Sequence, residues 1–146
     1  MRYIALLTAN SIPAGPSPGE LFTAIAQLGE QATKAGALVD TAGLAPSAAG
    51  TRVTLNGGNT STTDGIFTKD LASYAIYDVA SEEEVVEWAS RFLDVHAEHW
   101  PGWDGEVQVL KVLGPEDFGP AAWNLARARA QVTGPGRRSS SVAPRG

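Results

Sequence analysis

Ser73-Tyr74-Ala75-Ile76-Tyr77-Asp78-Val79, running into Ser81-Glu82-Glu83-Glu84, is the stretch from which the fold can be read. Its first part alternates, with Tyr74, Ile76 and Asp78 on one side and Ala75, Tyr77 and Val79 on the other. A period of two, carried by aromatic and β-branched residues, predicts a strand. Ser81 and Glu84 then have the spacing of a capping box, and three consecutive acids suit the positive end of a helix dipole. Val85, Trp88, Ala89, Phe92 and His96 follow at helical spacing and form one stripe. Pro101 ends that helix and pushes Trp100 toward extended geometry. Glu106–Leu113 is predicted as the strand that returns.

Upstream, Gly57-Gly58 separates Thr51–Asn56 from Thr60–Thr63. Paired glycines accept the positive φ angles of a tight turn, so these segments are predicted as an antiparallel hairpin. Ala37–Leu44 is a further strand candidate. Before it, Leu21, Ile25, Leu28 and Ala32 recur at helical spacing, and Gly36 supplies a left-handed stop. Ser17-Pro18-Gly19-Glu20 reads as the start of that helix, a capping box with proline in the first turn. Asn10–Gly19 holds three prolines and two glycines and is predicted as a loop. Arg2–Thr8 is a short apolar run expected as a buried strand. The order strand, helix, strands, helix, strand is the ferredoxin-like α+β arrangement, an antiparallel sheet with its helices on one face. Its second face is expected to need a partner.

A chain of 146 residues with 43% hydrophobic content is the size of one domain with one core. No apolar run approaches the roughly 20 residues of a membrane span. The N-terminus has no signal-like region, so the expected location is cytoplasmic. The chain has no cysteine, which removes disulfides, thiolate catalysis and cysteine-ligated zinc. Arg137, Arg138 and Arg145 all lie beyond Thr133, where no acid occurs, so positions 1–133 carry 8 basic against 16 acidic residues. So acidic a body, with no basic stripe, argues against nucleic-acid binding.

The stretch Gly57-Gly58-Asn59-Thr60-Ser61-Thr62-Thr63-Asp64-Gly65-Ile66-Phe67 resembles the signature of the YCII-related, or DGPF, family. Met1–Leu7, Lys34–Val39 and Gly114–Phe118 resemble its flanking segments in the same order; Ile66 stands where that family has proline. The resemblance covers residues 1–118 and implies a dimeric α+β barrel, a homodimer whose sheets pack face to face, around a small organic ligand. Residues 119–133 are expected to form a helical extension anchored by Trp123, and residues 134–146 a disordered tail. One branch of the superfamily resembles a dehydrochlorinase that uses a first-helix histidine paired with an aspartate. The matching position falls near Ile25, so that dyad is absent.

His96 and His99 are the only histidines and so the natural acid–base candidates near neutral pH. Asp64 beside Gly65 is the third catalytic candidate. Tyr74, Trp100, Trp103 and Phe67 are the aromatic residues expected to shape a substrate pocket. Each has a plainer reading: a helix-terminal histidine beside packed tryptophans, an Asp-Gly turn, a tyrosine filling a dimer interface. His99, more than His96, is expected to line a cavity with Trp100 or Trp103. No third ligand supports a metal site and no cofactor is expected. The resulting expectation is a small-molecule-binding protein, catalytic or not. If catalytic, it would be a cofactor-independent cyclase, isomerase or lyase of secondary metabolism, acting by proton transfer on an aromatic or polyketide-type metabolite. The alternative is an accessory or ligand-sensing protein of the kind linked to sigma factors.

Overall fold

The computed structural model describes residues 1–64, 71–117 and 128. Residues 1–112 form one compact unit and residues 113–146 another. In the first, the order is β1 (Arg2–Ser11), α1 (Gly19–Lys34), β2 (Leu38–Gly43), β3 (Thr51–Asn56), β4 (Asn59–Asp64), β5 (Leu71–Asp78), α2 (Glu82–His99) and β6 (Asp104–Lys111). Strands β2-β5-β1-β6 make a four-stranded antiparallel sheet, while β3 and β4, among the described residues, pair only with each other. This is the ferredoxin-like α+β fold, with the β3–β4 hairpin inserted between its second and third sheet strands. In the second unit, Pro115–Asp117 is a single 3-10 turn in which Gly114 N–H donates to Asp117 Oδ2 at 2.7 Å. Phe118, the helical extension and the tail lie outside the described residues, apart from Ala128.

Both helices cover one face of the sheet. Tyr3, Ala5, Leu7, Tyr77 and Val79 are buried beneath them, and Val85 on α2 is fully enclosed. Register explains this, because Tyr3 pairs with Tyr77, Ala5 with Ala75 and Leu7 with Ser73, and directly paired residues share a face. The opposite face carries Ile4, Leu6, Tyr74 and Ile76, all half-exposed, together with exposed Leu110.

Local signals determine the ends of the elements. After α1, Gly36 takes φ +75° as expected, Gly36 N–H reaches Thr33 O at 3.0 Å and Ala37 N–H reaches Ala32 O at 2.9 Å. Together these form a Schellman motif. Ser81 Oγ accepts from Glu84 N–H at 3.4 Å, so the cap of α2 is the one expected. The start of α1 differs: Pro18, not Ser17, is the N-cap, and no side chain caps the helix. Proline fixes φ but leaves ψ free, and here ψ is 138°, so Pro18 stays extended and Gly19 becomes the first helical residue. The β3–β4 turn has Gly57 at φ 59° and Gly58 at φ 84°, the pair of positive angles a two-residue hairpin of this type requires.

Candidate functional site

Five small residues meet where α1 and α2 cross the sheet. Ala5 and Ala75 are partners on β1 and β5, Gly29 and Ala32 lie on α1, and Ala89 lies on α2. Larger side chains at these positions would fill the interlayer space. Instead a partly open cavity of about 80 Å³ is left, walled by Leu7, Ile25, Leu28, Leu38 and Phe92. A Cβ at Gly29 would meet Leu38 Cδ2 only at 4.0 Å, so the helix stands back from the strand at this point.

Among the described residues, the lining contains no charged residue. Its polar side chains come from β2 and β5. Thr41 Oγ1 donates to Tyr74 O at 2.8 Å and is committed to the backbone. Ser73 makes no side-chain hydrogen bond among the described residues. Tyr77 is 7% exposed, and its hydroxyl likewise has no partner among them. No fully enclosed side-chain oxygen or nitrogen lacks a partner among the described residues, so this hydroxyl is not fully enclosed, and Tyr77 is one of the residues that border the cavity. Burial pushes the Tyr77 phenol above its ordinary range and keeps it a donor.

The residues singled out from the sequence do not converge. His96 is buried, with its ring 4.8 Å from Phe92 edge-on and 4.3 Å from Trp103 in a tilted stack. Its Nδ1 lies 2.9 Å from Phe92 O, so Nδ1 carries the proton and donates along its own helix. Burial lowers the His96 pKa and outweighs the opposing effect of the Phe92 carbonyl. Trp103 is held over β6 by Gly105, where any Cβ would overlap the indole and the Thr8 carbonyl. His99 is partly exposed, with Nδ1 4.0 Å from Glu20 Oε2 and Nε2 3.8 Å from Glu98 Oε2. Trp100 is the C-cap of α2, its N–H bonding His96 O at 2.8 Å.

The expectation was that His99 lines a cavity with Trp100 or Trp103. It is His96 that meets Trp103, and neither histidine nor either tryptophan borders the interlayer cavity. The helix period explains the exchange: His96 lies four residues past Phe92 and seven past Ala89 on the buried stripe, whereas His99 falls at the last residue of α2. Asp64 ends β4, where its carboxylate accepts from Thr51 Oγ1 at 3.1 Å across the hairpin. Of the expected pocket residues, Tyr74 borders the cavity, and its Oη donates to Asp40 Oδ2 at 3.0 Å on the strand next to it. That bond, and then the Asp40 charge, raise the Tyr74 pKa. Phe67 lies outside the described residues. Asp40, Ser73, Tyr77 and Gly29 were not singled out in the sequence, although the spacing of Gly29, Ala32 and Ala89 on two amphipathic helices was a legible sign of missing bulk.

Among the described residues, no group of histidines and carboxylates is arranged to hold a metal ion. No helix among them is long and apolar enough to cross a membrane. No protein-family model matches the chain, and no curated protein matches it either.

Proposed function

We propose that this protein binds a small, predominantly apolar organic molecule in the cavity between its helices and its sheet. The observation that carries this reading is the coincidence of Ala5, Ala75, Gly29, Ala32 and Ala89 around one opening into the core. Interiors are packed at crystal-like density, so a core with an open gap of this kind is the default candidate for a ligand site. We read the protein as a ligand-binding or ligand-sensing homodimer that buries the second face of its sheet against a second copy. This extends the resemblance to the YCII-related family. Proton transfer by His96 or His99 receives less support, because neither ring borders the cavity and the His96 Nδ1 proton is engaged by Phe92 O. Asp64 is engaged on the hairpin.

The test is a fragment screen by amide-resonance perturbation on the wild type and on Gly29→Leu, whose added side chain occupies the gap. Bound fragments are expected to shift the amides of Ala5, Ala75 and Gly29 in the wild type and to leave the variant's spectrum unmoved. Hits that map elsewhere, or that bind both proteins alike, would remove the cavity from consideration.

A further inference from the structure

Resting on the reading of the cavity as a ligand site, we infer that its ligand is electrically neutral and carries a hydrogen-bond acceptor that takes the proton of the Tyr77 hydroxyl. Two observations lead there. The first is the absence of charge, since every described residue bordering the cavity is uncharged. An ionised carboxylate or phosphate entering it would lose its hydration and gain no counter-charge. The second is the uncommitted hydroxyl. Tyr77 is nine-tenths buried, borders the cavity and has no hydrogen-bond partner among the described residues. A donor on a largely buried side chain that makes no bond among the described residues is available to a ligand that supplies the acceptor.

Geometry divides the polar ends. Ser73 and Tyr77 stand four residues apart on β5 and share its helix-facing side, so their Cα atoms are separated by roughly 13 Å. Ser73 is half-buried, while Tyr77 is buried beside the Tyr3–Val79 part of the core. Tyr77 therefore marks the inner end and Ser73 the more accessible one. Thr41 offers no free proton between them, because its hydroxyl already donates to Tyr74 O. Enclosed apolar cavities of about 150 Å³ accommodate benzene. This one, at about 80 Å³, is roughly half that size but partly open, so a ring or chain would enter it only in part and project through the mouth. A ketone, aldehyde, ester or ether oxygen on such a body has the required chemistry.

Three planar, nearly isosteric probes separate the possibilities: acetophenone, a neutral acceptor; α-methylstyrene, the same shape without an acceptor; and benzoate, an anion. Affinities are measured by amide-resonance titration on the full chain, wild type and Tyr77→Phe. In the wild type acetophenone is expected to bind about fivefold more tightly than α-methylstyrene, the effect of one ordinary hydrogen bond. Benzoate is expected to bind more than about tenfold more weakly than acetophenone, because its charge is uncompensated. Tyr77→Phe should erase the preference for acetophenone while leaving α-methylstyrene unchanged. If all three probes bind equally at the cavity, or if Tyr77→Phe leaves the preference intact, the ligand class is wrong and the cavity stands as a site. If none of the three shifts the amides of Ala5, Gly29 or Ala75, both the ligand class and the site fall.

Discussion

His96 and Tyr77 show how burial alone sets the behaviour of a side chain. For His96 the charged imidazolium is disfavoured by its position between Phe92 and Trp103, so its folded-state pKa lies below the unfolded value. The unfolded chain therefore binds the proton more readily. The folded state's advantage is complete above about pH 6.5 and declines as the pH falls through the folded value. Urea unfolding at pH 7.5 and 5.5 should show a larger loss of stability on acidification for the wild type than for His96→Gln. His99 is unchanged in both proteins, so equal losses would show that His96 does not govern the dependence. Tyr77→Phe removes a hydroxyl that bonds nothing within the described residues. Its melting temperature is expected to match or exceed that of the wild type, by up to about 1 kcal/mol of added stability. A clear drop would mean that the hydroxyl has a partner. That His96 would be buried was legible in its place on the Val85–Ala89–Phe92 stripe. That Tyr77 would be left without a partner was not, because an empty space is defined by the residues around it and leaves no periodic mark on a single strand.

The elements divide cleanly into those whose local chemistry agrees with their packing and those where packing prevails. The cap of α2, the Schellman end of α1 and the Gly57–Gly58 turn were each legible because the residue types required are few and the reasons are local. The first turn of α1 was misread by one residue, since nothing in Ser17-Pro18-Gly19 determines ψ of the proline. Glycines within elements carry the sharper contrast. Gly29 lies inside α1 with ordinary helical backbone and room for a methyl group, so Gly29→Ala should stabilise the protein by about 1 kcal/mol in thermal or chemical denaturation. A neutral or negative result would show that the helix needs the gap for its own packing. Gly105 is the opposite case. A methyl group there collides with Trp103 and with the Thr8 backbone, and Gly105→Ala should cost about 1–3 kcal/mol and release the indole from His96. Loss of stability without a change in Trp103 fluorescence would argue against that packing.

At the scale of the molecule, one side of the sheet is closed by α1 and α2, and the other presents Ile4, Leu6, Ile76 and Leu110, the last of these 45% exposed. An apolar face of this kind marks an interaction surface, and a second copy of the chain is the occupant proposed above. Light scattering at micromolar concentration should return the mass of two chains, and Ile76→Asp should return that of one. A monomeric wild type would refute the proposed assembly. Among the described elements, the β3–β4 hairpin packs only sparsely on the rest of its unit, and it exposes Val53 and Leu55. The alternation in Thr51–Asn56 revealed the strand but could not show that it stands apart from the main sheet, because pairing partners are chosen by tertiary structure.

The gap framed by Ala5, Ala75, Gly29, Ala32 and Ala89 also has a mechanical consequence. Whatever part of this gap water leaves empty in the folded state is recovered when the chain unfolds, so unfolding reduces the volume of the system, by at most an amount on the order of tens of millilitres per mole. Hydrostatic pressure should therefore unfold this protein more readily than its thermal stability alone would suggest. Gly29→Leu, by occupying the space, should become the more pressure-resistant protein even if it melts at a similar temperature. A molecule lodged between the layers would have the same effect, and compressibility would then report occupancy without any knowledge of what the occupant is.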